Sequence, residues 1–354
     1  MFESSLKRTR SYASDANYAR IELHAESRAC PLMQDSLCSV QAKLNETYLS
    51  DTCFSYPRLT RQFAGGVEQS LTLSCPEAAR QALLSADAFD FVENKIQVRE
   101  NTAGKIKPVH GLPVEAMNEI RIFCFQLMRT GGMALWEKLA VLGVFCEALT
   151  GAIEAHNQQG IPALIEEFVG ILDSGSVVEA LRDLKPHHVN QALVFAALWE
   201  VRSVVPRSAS QRAVIDMIAQ GMQTTGASEQ SKQEQIVDNY RRGIERLPAA
   251  LHEVPYLLDH YVLNEMFTDL FPFGEATPYD HYLRLVSRFG MVRFMLAAQC
   301  NGSEQLPSPA LLAQTVQVFC RRFQHDRLFA TQTSEALVKS GWSRLEKIYS
   351  FLRY

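Results

Sequence analysis

From residue 118 to residue 352 apolar side chains recur at intervals of three and four, and a chain with that period buries its stripes by packing helix on helix. Asn118–Arg129 sets Ile120, Phe123, Cys124, Leu127 and Met128 on one face and stops at Gly131-Gly132. Leu135–His156 carries Leu139, Leu142, Cys146 and Leu149 in the same way. The period predicts further helices at 162–173, 176–184, 188–203, 208–222, 230–246, 256–271, 279–300, 308–324 and 333–352, most of them separated by Gly, Pro or polar clusters. No fixed-period repeat organises them, and their lengths do not suit a TPR or HEAT array. The expected fold class is mainly α.

Ahead of this body the pattern is irregular. Ala19–His24 alternates like a short strand, and Val40, Leu44 and Tyr48 mark a short helix over 39–49. Arg61–Ser70 reads as a short hairpin turning at Gly65-Gly66, and Pro76 stands at the first position of a helix running to Leu84. Residues 94–115 are polar and punctuated by Gly and Pro. The expected organisation is a Cys-rich metal- or cluster-binding module at 1–93, a connection at 94–115 and an all-α domain at 116–354.

Cys30, Cys38, Cys53 and Cys75 are half of the chain's eight cysteines. Cys30 and Cys75 are each followed by proline, which fixes φ, removes a backbone donor and favours a turn that presents the sulfur. Cys75 precedes a helix whose free N–H groups and dipole favour a thiolate. Four thiolates converging on one point make a metal or cluster site. The 7, 14 and 21 residues that intervene between them are more than in the C-x2-C of a zinc ribbon or ferredoxin, and single cysteines also serve as small buried apolar groups. The residues alone weigh these two readings evenly. Cys124, Cys146, Cys300 and Cys320 lie on apolar helical stripes and read as core.

An apolar fraction of 47% with 21% charged residues describes a soluble globular protein. A net charge of −4 gives no general reason to expect nucleic acid or anionic lipid as partner, and no apolar run approaches the roughly 20 residues that span a bilayer. The basic start Lys7–Arg10 leads into a polar stretch and not an apolar one, so no secretory signal is expected; the expected location is the cytoplasm, where disulfides are rare. The P-loop, Rossmann, HExxH and GxSxG motifs are absent. His187-His188 follows Lys185-Pro186 and reads as a helix start, since adjacent helical side chains cannot face one ion. The densest aromatic and polar segment is Pro255–Phe273, with Leu263, Met266, Phe267 and Leu270 as its stripe. His260 and Asn264 share another face beside Tyr256 and Tyr261, which suits either a pocket for an amine or methylated ammonium, or a plainly wetted helix face. Tyr279-Asp280-His281-Tyr282 repeats that chemistry.

Two blocks carry a family resemblance. Cys30-Pro31-Leu32, Leu37-Cys38-Ser39-Val40, Leu49-Ser50-Asp51-Thr52-Cys53-x-x-Tyr56-Pro57-Arg58 and Glu68-Gln69-Ser70-Leu71-Thr72-Leu73-Ser74-Cys75-Pro76-Glu77 resemble the signature of the flagellin lysine-N-methylases. Leu263-Asn264-Glu265-x-Phe267-x-x-Leu270-Phe271-Pro272-Phe273 is similar to their second recurring stretch. The resemblance implies a protein-lysine N-methyltransferase of the bacterial flagellum system that methylates flagellin lysines with S-adenosylmethionine. It also implies an iron–sulfur cluster of the 4Fe–4S type, with Cys30, Cys38, Cys53 and Cys75 as ligands and zinc as the alternative. More distantly, the cysteine pattern is similar to small zinc- or iron-chelating modules. Members of the family carry further cysteines ahead of the region corresponding to Arg20, and no cysteine precedes Cys30, so the chain is expected to be an N-terminally shortened member. Attack on a sulfonium methyl needs a neutral amine, while a free lysine has a pKa of about 10.4. His260, Tyr261, Asp280 and His281 are the residues expected to help remove that proton. The alternative reading is a non-catalytic or decayed helical protein that binds a metal or cluster.

Overall fold

The computed structural model describes residues 6–8, 18–27, 29–35, 37–63, 66–200, 208–226, 228–323, 327–339 and 341–354. Among them the helical period is realised as fifteen α-helices beside a few short strands, so the protein is mainly α. None of these helices is long and apolar enough to cross a membrane. Two compact units divide the chain, residues 1–56 with 97–103 and residues 57–96 with 104–354.

The first unit is built from very short elements. Leu6–Arg8 pairs antiparallel with Ala19–Ile21, and Met33–Gln34 with Leu37–Cys38. The helix expected over 39–49 is broken: Ser39–Lys43 is α-helical, and a single 3-10 turn follows at Glu46–Tyr48. Leu44 and Tyr48 stay exposed, so their stripe gains nothing by continuing, and Asn45 instead takes the Thr47 N–H on its own side chain. Arg99 supplies much of the unit's cohesion. Its guanidinium donates to the carbonyls of Leu49 (2.7 Å), Glu46 (2.8 Å) and Thr47 (2.9 Å), pairs with Asp51 at 3.1 Å and lies 4.1 Å from the Phe54 ring centre.

In the second unit the expected hairpin forms between Arg58–Phe63 and Gly66–Leu71, with Phe63 opposite Gly66 and Arg58 opposite Leu71. Gly66 therefore belongs to the strand, and Gly65 lies outside the described residues. Within this unit Ile106 N–H also donates to Gln62 O at 2.9 Å, tying the chain after Lys105 to the hairpin. The hairpin and the following Pro76–Leu84 helix group with the helical body, unlike the 1–93 module expected from sequence. The reason is packing. Leu73, Ala79, Ala82 and Leu83 are buried in the helical core, Gln317 donates to Ser74 O at 2.7 Å, and Tyr256 donates to Leu84 O at 2.9 Å.

The Pro278–Asn301 helix is the axis of this core, buried along nearly its whole length between Leu135–Glu154, Ala209–Gly221 and Glu229–Ala250. Two neighbours approach it through glycine. A Cβ on Gly221 would stand 1.8 Å from Ala298 O, and one on Gly243 would stand 2.1 Å from Ala297 O. Gly243→Ala is expected to lower unfolding free energy by about 3 kcal/mol, the upper part of the usual overpacking penalty, despite alanine's better helix propensity. Denaturant titration of the variant checks this. At the end of the chain the single helix expected over 333–352 is two, Arg327–Lys339 and Leu345–Leu352, separated around Gly341 at φ +70°.

Candidate functional site

The Leu257–Thr268 helix carries the segment that the sequence marked as chemically dense, and the structure buries it on nearly all sides. His260 Nδ1 stands 2.9 Å from Ala82 O, which fixes it as the donor, and the ring lies between Tyr256 (4.7 Å) and Phe89 (4.9 Å). Burial pushes the His260 pKa below its ordinary value. Asn264 donates to Leu71 O at 3.0 Å. This face is thus neither open pocket nor wet surface; it is the seam where the helix docks on the hairpin and on Pro76–Leu84. Tyr261 is fully buried, its hydroxyl has no hydrogen-bond partner among the described residues, and burial pushes its pKa far up.

Asp280 is exposed in the first turn of Pro278–Asn301 and accepts from Thr277 Oγ1 at 2.7 Å, a capping arrangement. His281 is buried, accepts the Gly274 N–H at 2.8 Å on Nδ1, and has Arg284 Nη2 2.7 Å from Nε2. Burial, reinforced by the Arg284 charge, holds its pKa well below the usual histidine range. Among the described residues no hydrogen bond or ring contact joins His260 or Tyr261 to Asp280 or His281.

Two groups of charged residues surround this helix that the sequence reading did not single out. Arg288 donates to Glu265 at 2.9 Å and to Asp269 at 2.7 Å, while Arg284 pairs with the same Asp269 at 2.9 Å and with Glu275. Burial, with Asp269 adding to it and Arg288 opposing, pushes Glu265 up to about 7. The signal was available: Glu265 and Asp269, like Arg284 and Arg288, stand four residues apart, so each pair projects from one side of its helix. The second group is Glu68 on the hairpin and Arg121 on the Val114–Arg129 helix, whose Nη2 lies 2.9 and 3.0 Å from the two carboxylate oxygens. Arg61 donates to the carbonyls of Phe267 (3.0 Å) and Thr268, tying the hairpin to the end of the Leu257–Thr268 helix.

Between these elements lies a cavity of about 280 Å³, walled by Phe91, Ile122, Phe125 and Phe267, with Glu68, Asn118, Arg121, Gln126 and Arg129 as polar lining. The three rings form one cluster, with centres 5.4 Å apart for Phe91 and Phe267, 5.7 Å for Phe125 and Phe267, and 6.1 Å for Phe91 and Phe125. Phe91 is 59% exposed, so one wall opens to solvent.

Of the thiols expected as ligands, Cys30, Cys38 and Cys53 belong to the first unit and Cys75 to the second. Cys53 is exposed and the others half-buried; Cys75 sits at the N-cap position before Pro76, as its sequence suggests. Among the described residues no three His, Cys, Asp or Glu side chains are gathered so as to hold a metal ion. Taken one by one, the units offer no assembled donor set for a cluster or a zinc ion, and no step below runs through one. Cys124, Cys146, Cys300 and Cys320 are all fully buried, and burial raises each thiol pKa, that of Cys300 to about 11.

A family model, that of the FliB lysine N-methylase C-terminal domain, matches residues 121–351. The chain belongs to that family. It is 25% identical over 325 residues to the lysine-N-methylase of Salmonella choleraesuis (strain SC-B67), covering 88% of this chain and 78% of that protein. The lysine-N-methylase of Salmonella typhimurium (strain LT2) is 25% identical over 300 residues, 81% of this chain and 72% of its own length. The flagellar biosynthetic protein FliU of Salmonella muenchen is 35% identical over 83 residues, 23% of this chain and 49% of that protein. No solved structure matches the chain. The span matched to the FliB domain takes in Arg121, Phe125, the Leu257–Thr268 helix and the Glu265–Arg288 network, whereas Glu68 and Phe91 precede it.

Proposed function

We propose that this FliB-family chain is a protein-lysine N-methyltransferase that moves a methyl group from S-adenosylmethionine to lysines of flagellin, in the cytoplasm. The observation that carries the reading is the family match across residues 121–351, supported by lysine-N-methylases similar over most of the chain. The flagellar protein FliU among the similar proteins favours a flagellar substrate. The chemistry asked of the protein is modest in kind. It must strip a proton from an ammonium, shield the amine from water and hold it in line with the sulfonium methyl. Purified flagellin incubated with the chain and methyl-labelled S-adenosylmethionine is expected to gain label on lysine, located by peptide mass spectrometry. Flagellin that stays unlabelled would favour the non-catalytic reading.

The same reading keeps Cys30, Cys38, Cys53 and Cys75 as the thiols for an iron–sulfur cluster of the 4Fe–4S type, or for zinc. Iron, sulfide and zinc analysis of anaerobically purified chain tests this beside a Cys53→Ser, Cys75→Ser double variant. Metal bound by the wild type and lost from the variant supports the ligand set. Equal metal content in both overturns it.

A further inference from the structure

We infer that the cavity walled by Phe91, Phe125 and Phe267 seats the side chain of the substrate lysine, with Glu68 receiving its ammonium group. The inference rests on the methyltransferase reading and names the place in this chain where the amine binds. Three features of the cavity carry it.

The first is size. At about 280 Å³ the cavity falls at the lower edge of the roughly 300–1,000 Å³ range of small-molecule sites, which suits four methylenes and an amine better than a whole nucleoside with its amino-acid tail. The second is the walls. Phenyl faces carry the negative lobe of the ring quadrupole and attract an organic cation, while Ile122 and the ring edges pack against an alkyl stem. The third is charge. Glu68 is the one carboxylate on the lining, and its side chain is only 14% exposed. Arg129, also on the lining, has its charge engaged by Asp90 at 3.1 Å and its other arm on Phe89 O at 3.0 Å.

The guanidinium groups add the chemistry that a nucleophilic amine needs. Glu68 and the ring faces hold the ammonium, while the like charges of Arg121 on the lining and Arg61 nearby, together with desolvation, bring its pKa below that of a free lysine and ease loss of the proton. The ammonium proton passes to the Glu68 carboxylate, which frees the nitrogen lone pair. The N–C bond then forms as the C–S bond of the sulfonium methyl donor breaks, its electron pair leaving on sulfur. Beside the mouth, Phe91 and the adjacent Val92, 83% exposed, offer apolar surface to the segment that carries the lysine.

A sulfonium is also a cation on an aliphatic stem, so the test separates the two sources. Nα-acetyl-lysine amide, the uncharged norleucine amide and S-methylmethionine are titrated by calorimetry into the full chain and into its Phe91→Ala and Glu68→Gln variants. The lysine amide is expected to bind saturably, and about tenfold or more tighter than norleucine amide and than S-methylmethionine. Phe91→Ala is expected to weaken it about fivefold and Glu68→Gln about tenfold. Phe91 is exposed, so its truncation leaves the core intact even where Glu68→Gln disturbs the pairing with Arg121. Equal binding of norleucine amide, equal or tighter binding of S-methylmethionine, affinity unchanged in both variants, or no saturable binding by the wild type each overturns the inference. None of these arms needs methyl transfer. A chain that binds lysine amide but leaves flagellin unlabelled therefore separates this inference from the enzyme reading.

Discussion

Arg288→Met is expected to lower unfolding free energy by about 3–5 kcal/mol, because it takes from the buried Glu265 carboxylate and the half-buried Asp269 carboxylate the cation they share. Glu265 is 2% and Arg288 5% exposed, so water cannot replace the lost partner. The Glu265→Gln, Arg288→Met double variant is expected to recover a large part of the loss, since it removes the stranded charge along with its partner. Denaturant titration of both variants checks the order. The pH profile gives an independent readout. With Glu265 lifted to about 7 from an ordinary 4.5, the native state holds that proton more tightly between the two values. Its contribution is complete below pH 4.5 and is lost as pH rises through 7. His260 and His281, both pushed down by burial, act in the opposite sense: their contribution is present above the ordinary 6.5 and lost as pH falls towards their native pKa values. Glu265→Gln leaves only the histidine limb, so its melting temperature is expected to climb more steeply between pH 5 and 7 than that of the wild type. An identical slope in the two proteins would remove Glu265 from the titration.

The helical body was legible because its stripes are strong. Ile120, Phe123, Cys124, Leu127 and Met128 all lie in the core, and so do the four cysteines read as packing residues. What sequence could not show was which faces meet. The pattern of His260 and Asn264 suits a pocket or a wet surface, and they form neither, because a hairpin almost 200 positions earlier supplies Leu71 O, and the helix after it Ala82 O. Long-range partners of this kind leave no local period. The cavity leaves no trace in the sequence for the same reason: Phe267 falls on an apolar stripe, and Phe91, Phe125 and Glu68 come from three other segments. Turn chemistry was legible only in part. Pro76 opens its helix as expected, while the stripe of Val40, Leu44 and Tyr48 lacked a surface to pack on, and the local hydrogen bond of Asn45 prevailed.

Arg293→Met is expected to destabilise the protein by about 3–5 kcal/mol, comparable to the loss at Arg288, although no acidic residue among those described pairs with it. The side chain is fully buried, yet its guanidinium donates to Leu352 O at 2.7 Å and to Phe351 O. These carbonyls end the Leu345–Leu352 helix, where no further turn is available to satisfy them. A cation at a helix C-terminus also meets the negative end of its dipole, here between the rings of Phe289 (5.4 Å) and Tyr354 (4.9 Å). Gln191 completes the clamp, donating to Ser350 O at 2.6 Å and Arg353 O at 2.8 Å while accepting from Tyr240 OH at 3.0 Å. Methionine fills similar space but donates nothing, so two buried carbonyls lose their partners at once. Amide hydrogen exchange over residues 345–352 is expected to quicken in Arg293→Met, and Arg293→Lys, which keeps the charge without the fork, is expected to recover only part of the protection. Exchange and melting unchanged in Arg293→Met would mean that burial of Ile348, Phe351 and Leu352 holds this helix by itself.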